Sequence, residues 1–247
     1  MTPDHARPRI AFMFGTRDWY HRMTLSLKSL MKHTRLDRVY LMIEDDEFPE
    51  PLPPNVTCVN VSNQQYFPED GPNYQSMYSY MVLLRAALPD MFPDIDIALC
   101  IDADTITRGD LGPVFDTDMT GFYLAAVKEL HYIHRTDYYN AGVMLMNLAK
   151  MRRDDVWTQA VAMLNDRYFR WKEQDVLNDL CRRRIYSLPA KYNFSPSVTG
   201  YNCDDIVVRH YIGAVEAKAN MLKEAAQYEN LPWEDIIRTQ EEGVNNE

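Results

Sequence analysis

The sequence lacks both glycine-rich motifs that commonly hold the phosphates of a nucleotide. Neither GxGxxG nor GxxxxGK[ST] occurs anywhere in its 247 residues. In both motifs, glycine lets backbone N–H groups approach a diphosphate closely. If this protein binds a nucleotide, another positive partner must therefore neutralise the phosphates, and a metal ion held by side chains would serve.

Basic residues and long apolar runs are also scarce. The 26 lysine and arginine residues are outnumbered by 36 aspartate and glutamate residues, which gives a formal net charge of -10. This charge argues against non-specific binding of nucleic acid. No apolar run approaches the ~20 residues of a membrane-spanning helix, and residues 1–8 contain no signal-peptide apolar region. We therefore expect a cytoplasmic protein with no stable membrane anchor.

Repeats, low-complexity tracts and paired cysteines are absent as well. The four cysteines form no CxxC pair, and Cys100 and Cys181 lie in apolar patterns typical of reduced core thiols. A chain of this length without an obvious linker is expected to form one domain. We assign residues 1–247 to a single domain, with a core over about 8–213 and a helical tail over 214–247.

The chain does contain a regular alternation of apolar strands and amphipathic helices. Strands are predicted at Ile10–Phe14, Arg38–Ile43, Val56–Val61, in the run that begins at Ile97, and at Phe122–Val127, Val143–Leu148 and Ile206–Tyr211. Helices are predicted where apolar residues recur at helical spacing, around Met23–Met31, Met77–Leu88, Val156–Leu164, Val176–Cys181 and Ala214–Tyr228. This alternation predicts an α/β fold with a mostly parallel sheet flanked by helices.

The most informative segment is the apolar run that ends in two carboxylates, Asp102 and Asp104. The run has the length and composition of a buried parallel strand, and ligands of open α/β sheets bind beyond the carboxyl ends of such strands. Residues two apart in an extended segment point the same way, so these carboxylates would repel each other without a cation between them. The pattern favours a divalent-metal site for phosphate chemistry, although a surface turn would show the same short motif.

The same segment fits a second class of enzyme. An apolar strand followed by Asp-x-Asp-x-Thr resembles the nucleophile motif of haloacid-dehalogenase-type phosphatases. In that alternative, Asp102 attacks phosphorus and Asp104 is the acid/base, while Asp204 and Asp205 form a distal metal pair. The position of the motif speaks against it, because that strand usually opens its domain and three predicted strands precede Asp102.

Four further blocks follow Asp102-Ala103-Asp104 along the chain. They are Tyr138-Tyr139-Asn140-Ala141-Gly142-Val143, Glu173-Gln174-Asp175-Val176-Leu177-Asn178, Tyr192-Asn193-Phe194 and His210-Tyr211-Ile212-Gly213. In this order and at these separations, the blocks resemble glycosyltransferase family 8, the family of glycogenin and the bacterial lipopolysaccharide galactosyl- and glucosyltransferases. The resemblance extends from about Ile10 to Gly213. It implies a GT-A fold, a UDP-sugar bound through Mn²⁺, and transfer with retention at the anomeric carbon.

The resemblance also implies a set of metal ligands. Asp102 and Asp104 match the DxD metal site, and His210 matches the histidine that supplies the third ligand. Two carboxylates with one imidazole suit Mn²⁺ better than Mg²⁺, which stays an alternative. The competing interpretation of His210 is a buried core histidine, because it shares a strand face with Val208 and Ile206.

The remaining implied residues concern the nucleotide sugar. Gln174 matches the glutamine placed near the anomeric carbon, and Asp175 is expected to cap its helix or orient the site, so both are predicted catalytic residues. Donor contacts are implied for Phe14, Asp18, Tyr20, Arg85, Ala103, Asn140, Ala141, Gly142, Gly213 and Lys218. The structural alternatives are a core hydrogen bond for Gln174, a salt bridge for Arg85, and an ordinary turn at Asn140–Gly142.

Several positions depart from the family's usual pattern. Where the family has HxxGxxK, Glu216 occupies the lysine position and Lys218 comes two residues late. Glu173 stands where many members have aspartate, and Glu129 stands where several members have an aspartate on the sugar. The identity of the donor sugar therefore does not transfer from the family to this chain. His131 and His134 resemble a metal pair, but their polar neighbours favour an acceptor-side loop.

The sequence therefore predicts a Mn²⁺-dependent retaining glycosyltransferase that moves a hexose from a UDP-sugar to a glycan or other hydroxyl acceptor. The expected partners are the nucleotide sugar and that acceptor, with no nucleic acid, and the oligomeric state is left open. Besides the phosphatase, a nucleotide-sugar-binding module without turnover is an alternative, because the HxxGxxK region is altered.

Overall fold

A seven-stranded mixed sheet forms the centre of the protein. The computed structural model describes residues 7–75, 78–130, 137–196, 203–213 and 215–244, with side chains through residue 238. Its strands are β1 (Ile10–Phe14), β2 (Arg38–Ile43), β3 (Val56–Asn60), β4 (Ile97–Ile101), β5 (Thr105–Thr107), β6 (Leu124–Lys128), β7 (Tyr139–Asn147), β8 (Ile185–Leu188) and β9 (Val208–His210). The main sheet has the order β3-β2-β1-β4-β7-β6-β8, and β5 and β9 form a separate two-stranded ribbon.

Eight α-helices are seen in the described residues. They are α1 (Tyr20–His33), α2 (Leu88–Met91), α3 (Gly112–Phe115), α4 (Leu148–Arg153), α5 (Val156–Asp166), α6 (Lys172–Leu180), α7 (Val215–Ala225) and α8 (Trp233–Val244). Short 3-10 helices occupy Arg17–Trp19, Tyr80–Ala86, Ala190–Asn193 and Ala226–Tyr228.

The predicted α/β fold with a mostly parallel sheet is confirmed. Strand β1 pairs in parallel with β2 and β4, and β2 pairs in parallel with β3. Strand β7 runs antiparallel to both of its neighbours, β4 and β6. Its seven central residues are buried on both faces, as in a parallel strand, so its hydrophobic pattern did not reveal its direction.

Apolar layers cover both faces of the sheet. Along β1, Phe12 and Phe14 join one layer, while Ala11 and Met13 join the other, because successive strand residues point to opposite faces. Helix α1 packs against the second layer through the apolar stripe predicted for it, Met23, Leu27, Leu30 and Met31, all fully buried. Cys100 and Cys181 are buried free thiols, as predicted.

The helical tail is built onto the core. Met221 and Tyr228 pack with Leu25 of α1 and Ile106 of β5 in a third apolar cluster. Ile236 of α8 is buried in the layer that contains α1. The tail therefore holds α1 and the β5–β9 ribbon together. Among the described residues, no helix combines the length and the apolar composition needed to cross a membrane.

Two local predictions differ from the structure. The amphipathic segment before Leu88 forms a 3-10 helix at Tyr80–Ala86, which begins where the Ser79 hydroxyl accepts a hydrogen bond from the Met81 N–H. Met77, which was predicted to begin this helix, lies outside the described residues. Strands β5 and β8 were missed because three or four residues are too few to show a strand period.

Candidate metal and donor site

The candidate metal ligands meet where β4 ends. Asp102 follows the last residue of β4, and its N–H donates to the Gly142 carbonyl of neighbouring β7 at 2.8 Å. The chain then turns into β5, which pairs with β9 so that Thr105 lies opposite His210. A hydrogen bond of 2.8 Å from the Tyr211 N–H to the Asp104 carbonyl closes this arrangement. The ribbon thus brings together residues 106 positions apart in sequence.

The three side chains converge on one point. One atom each from Asp102, Asp104 and His210 lies within 4.8 Å of the others, the one such group found in the described residues. His210 Nε2 is 3.0 Å from Asp104 Oδ1 and 3.4 Å from Asp102 Oδ2. Burial lowers the pKa of the His210 imidazole, but the Asp104 and Asp102 carboxylates more than offset burial and leave that pKa raised. The carboxylates therefore favour a positive charge at this point.

This donor set fits a divalent metal ion. Two carboxylate oxygens and one imidazole nitrogen are a set typical of Mn²⁺ and related ions. His210 Nδ1 is 2.8 Å from Asn193 Oδ1, and Nδ1–H donation to that oxygen leaves Nε2 free to bind a metal. His210 is also buried, as the competing interpretation of a core histidine predicts, and its Nε2 faces both carboxylates.

A chain of amide side chains supports the imidazole. Asn193 Nδ2 donates to Asn140 Oδ1 at 2.8 Å, and the Gly142 N–H donates to the same oxygen at 2.8 Å. Asn140 Nδ2 donates in turn to Glu129 Oε1 at 2.8 Å. Asn140 and Asn193 are both buried, so these bonds connect β7 and the 3-10 helix Ala190–Asn193 to the metal group.

Gly142 is required by His210. A Cβ atom at this position would lie 2.1 Å from His210 Cε1 and 2.5 Å from His210 Nδ1. The family resemblance implied a donor contact at this residue. In the described residues, the His210 imidazole packs directly on the β7 backbone and leaves no room for a side chain at position 142.

A buried arginine joins the metal group to helix α6. The Arg85 guanidinium pairs with Asp102 and lies 3.0 Å from Glu173 Oε1, and Arg85 and Glu173 are both almost fully buried. Burial lowers the pKa of Arg85, but Asp102 and Glu173 together raise it above its usual value. Burial raises the pKa of the Glu173 carboxyl above its usual range. The salt bridge considered for Arg85 is therefore present, and it ends on a candidate metal ligand.

The predicted catalytic pair lies in a second hydrogen-bond network. Gln174 Oε1 accepts from the Ala141 N–H at 2.8 Å, and Gln174 Nε2 donates to Glu129 Oε1 at 3.0 Å. Asp175 accepts from the Tyr138 hydroxyl at 2.8 Å and from the Trp171 N–H at 2.9 Å. Burial raises the pKa of Glu129. Gln174 thus makes the hydrogen bonds of the structural alternative, and its catalytic role stays a prediction, while Asp175 accepts from Trp171, just before its own helix, and from Tyr138.

The other predicted donor residues lie along the strand ends. Phe14 is buried beneath Arg85, with 5.6 Å between the guanidinium carbon and the ring centroid. The Tyr20 hydroxyl donates to Asp45 Oδ2 at 3.0 Å. Asp18 is exposed and accepts from Thr16. Ala103 is buried between the two DxD carboxylates. These residues lie beside or beyond the carboxyl ends of β1 and β4, where a nucleotide was expected, and their roles remain predictions.

The two charged residues after Gly213 point to different neighbours. Gly213 has φ +122°, a conformation that favours glycine. Lys218 Nζ lies 4.9 Å from the Trp19 ring centroid. Glu216 lines a cleft of about 340 Å³ beside His210. The predicted lysine contact with a diphosphate is therefore untested, and His131 and His134 lie outside the described residues.

Sequence reasoning assigned no role to Tyr138, Asn193 or Lys172. Tyr138 and Asn193 stand inside the blocks that carry the family resemblance, so their position was the available signal. The local signal for Lys172 is misleading, because lysine usually marks an exposed position. Its side chain is instead almost fully buried, at 1% exposure.

Several relatives among the curated proteins are glycosyltransferases. The chain is 24% identical over 217 residues to glycosyltransferase GlyE of Streptococcus pneumoniae, a match that covers 82% of this chain and 51% of that protein. It is 24% identical over 173 residues to the lipopolysaccharide 1,2-glucosyltransferase of Escherichia coli K12, covering 57% of this chain and 51% of that enzyme. The chain thus spans at most about half the length of the curated relatives it matches.

Solved structures show the same fold. The crystal structure of GlyE superposes with a TM-score of 0.72 at 19% identity, covering 96% of this chain and 64% of that one. The galactosyltransferase LgtC, crystallised with donor and acceptor sugar analogues, superposes with a TM-score of 0.67 at 20% identity, covering 92% and 99%. The sheet flanked by helices is therefore the GT-A fold that the sequence predicted. The family model for glycosyl transferase family 8 matches residues 16–219, well over half of the chain, and the protein belongs to that family.

Proposed function

We propose that this family 8 glycosyltransferase transfers a hexose from a UDP-sugar, with a divalent metal and with retention, to a hydroxyl of a glycan or another acceptor. One observation carries the proposal: Asp102, Asp104 and His210 converge at the carboxyl end of β4 in a chain of this family. A divalent metal ion bound there neutralises the charge that develops on the leaving diphosphate. We favour Mn²⁺ because the donor set includes an imidazole.

In this proposal the other residues bind and orient the sugar. Gln174 is held by Ala141 and Glu129, so its position near the anomeric carbon is set before the donor arrives. Glu129 and Glu173 border this region and supply carboxylate acceptors for sugar hydroxyls. Arg85 prevents mutual repulsion of Asp102 and Glu173 by pairing with both. The acceptor hydroxyl then attacks on the leaving-group face, or a short-lived intermediate forms.

The two alternatives are weaker on particular observations. For the phosphatase, Asp204 and Asp205 would have to complete the metal site, whereas in the described residues the group is completed by His210. Family membership supports the transferase as well. A binding module without turnover would keep the same metal group, so only catalysis separates it from an enzyme.

We expect a chelator to abolish turnover and Mn²⁺ to restore it. Without a glycine-rich cradle, the diphosphate depends on the metal for its positive partner. The measurement is UDP release from UDP-glucose and UDP-galactose, with and without acceptor, in EDTA and after addition of Mn²⁺. In parallel, UDP at 100 times its Kd should stabilise the protein by about 2.7 kcal/mol only when Mn²⁺ is present.

Undiminished UDP release in EDTA would contradict the proposed metal role. UDP-sugar binding with no hydrolysis and no transfer to any tested acceptor would favour the binding module. Trapping of a stoichiometric phosphoaspartate at Asp102 would favour the phosphatase.

We expect the first product of an α-linked donor to be α-linked. Retention follows from the proposed mechanism, in which the acceptor approaches on the leaving-group face. Proton NMR of the anomeric signal at short times, before mutarotation, distinguishes the outcomes, and a non-enzymatically mutarotated hexose serves as the reference. An initial β product would show that Gln174 does not have the role proposed for it.

A further inference from the structure

Lys172, the first residue of α6, has three features that are unfavourable for a lysine at this position. Its side chain is 1% exposed, although an ammonium group is rarely so deeply buried. Its backbone has φ +45°, a left-handed conformation that costs free energy in a residue with a side chain. A positive charge at a helix N-terminus is also opposed by the helix dipole. Such a combination persists only where the surrounding structure holds it in place.

Backbone carbonyls satisfy the buried ammonium. Nζ donates to the Tyr78 carbonyl at 2.5 Å, to the Ser79 carbonyl at 3.2 Å and to the Tyr74 carbonyl at 3.5 Å. An ammonium has three N–H donors, so three acceptors complete its hydrogen bonding. Burial lowers the pKa of Lys172 to about 8, with Glu173 opposing the shift, so the group stays largely charged at neutral pH.

The carbonyls that Lys172 holds lead into the helix that carries Arg85. Ser79 caps the 3-10 helix Tyr80–Ala86 through its hydroxyl. Tyr74 stacks on Tyr80 at 4.7 Å between ring centroids and with nearly parallel rings. Burial raises the pKa of the Tyr78 hydroxyl, and Asp104 and Asp102 raise it further. Lys172 therefore binds the chain segment immediately before the helix that carries Arg85.

On its own helix, Lys172 directly precedes the residues proposed to act on the donor. Glu173 pairs with Arg85, Gln174 bonds to Ala141, and Asp175 bonds to Tyr138. Two adjacent residues at the start of α6 therefore contact this region: Lys172 bonds to the segment just before the 3-10 helix Tyr80–Ala86, and Glu173 pairs with Arg85 near the end of that helix. A rigid spacing between these helices sets the position of Gln174 relative to Arg85 and Asp102.

We propose that Lys172 is a positioning residue that clamps the N-terminus of α6 to the Tyr78–Ser79 backbone and thereby sets the geometry of Gln174 over the donor. The proposal rests on the proposed function. Lys172 itself touches no substrate, since its ammonium is taken up by carbonyls. We therefore expect Lys172 to affect kcat rather than substrate binding. A small displacement of a reacting group slows the reaction far more than the loss of a single contact would.

The test compares Lys172→Met with Lys150→Met in the full chain. Lys150 is a matched control, a buried lysine on α4 whose Nζ lies 2.7 Å from Asp154 Oδ2. We expect Lys172→Met to lower kcat for UDP-sugar hydrolysis at least about tenfold, while KM and the Kd of UDP with Mn²⁺ change less than about threefold. Lys150→Met lowers thermal stability but leaves kcat unchanged. Lys172→Arg, which keeps the charge and the donors, recovers part of kcat.

Amide hydrogen exchange gives a readout that does not depend on turnover. In Lys172→Met we expect faster exchange at Tyr80–Ala86 and at the first turn of α6, with β1 unchanged as the internal reference. Should Lys172→Met not fold, Lys172→Gln replaces it, because its shorter amide does not reach all three carbonyls. If the wild type releases no UDP, the proposed function fails while exchange and UDP titration still test the clamp. A Lys172→Met protein with wild-type kcat and exchange, or an equal loss of kcat in Lys150→Met, overturns the proposal.

Discussion

Asp104→Ala is expected to lower kcat/KM for UDP-sugar turnover at least about a hundredfold and to remove Mn²⁺-dependent binding of UDP. Asp104 contributes one of the three converging ligand atoms, and its Oδ1 is 3.0 Å from His210 Nε2. Removing it leaves two ligands, of which Asp102 is already engaged by Arg85. Turnover, calorimetric titration of UDP with Mn²⁺, and thermal unfolding of the free protein are the measurements.

The neighbouring aspartate should behave differently in the absence of ligand. Asp102→Ala removes one of the two carboxylates that pair with buried Arg85, so we expect a loss of stability of about 1–3 kcal/mol. Asp104→Ala leaves the Arg85 pairs intact and removes the contact with His210 Nε2, which keeps Asp102 at 3.4 Å, so the loss of free-protein stability should be smaller. Activity is lost in both variants, but Asp102→Ala unfolds earlier.

The control is a carboxylate at the opposite end of the same strand. Asp96 lies just before β4, and its side chain is 82% exposed and 3.3 Å from Arg152. Asp96→Ala should keep activity and UDP affinity, because surface ion pairs contribute little. Wild-type turnover in Asp104→Ala, or an equal defect in Asp96→Ala, would be incompatible with the metal site.

Gly142→Ala is expected to abolish metal-dependent activity and to destabilise the fold by about 1–3 kcal/mol. The added Cβ would lie 2.1 Å from His210 Cε1 and 2.9 Å from Asn140 Oδ1. His210 is held by Asn193 on one side and by Asp104 on the other, so moving the ring would break both contacts. Either the imidazole leaves the metal group or β7 separates from β4.

Gly109→Ala is the matched control for this substitution. At Gly109 the nearest atoms to a new Cβ are 3.7 Å away on Val207, an ordinary van der Waals contact. This variant should bind UDP with Mn²⁺ like the wild type, and unfolding should change by less than about 1 kcal/mol. Full activity in Gly142→Ala would mean that His210 is not needed at the position where it is seen.

Local patterns were sufficient for some elements of the fold. Strand β1 was predicted at the observed residues from its continuous apolar run, and the buried stripe of α1 from apolar residues that recur at helical spacing. The two-carboxylate motif was recognisable because it directly follows β4. The order of the family blocks then pointed to His210, which no periodicity in the chain links to Asp102.

Local patterns did not predict every short element or the direction of a strand that is buried on both faces. Strand β5 has three residues and was not predicted, and although β9 lies within the predicted strand Ile206–Tyr211, its pairing with β5, which brings His210 to Asp104, was not predicted. The antiparallel direction of β7 left no trace in a segment buried on both faces. Both features depend on contacts between segments that are distant in sequence, and a short stretch of sequence does not specify those contacts.

The sequence by itself determined the α/β class, the family and the identity of the candidate metal ligands. The tertiary structure decided which residues those ligands depend on. The imidazole of His210 leaves no room for a side chain at Gly142. Arg85 pairs with Asp102 and with Glu173, and Glu173 is 88 residues away along the chain. From its residue type, Lys172 would be expected at the surface, but it is buried against carbonyls of the segment before the 3-10 helix Tyr80–Ala86. The physical reason is that burial and hydrogen-bond partners are properties of long-range packing, whereas the local pattern of a sequence reflects only contacts between neighbours along the chain.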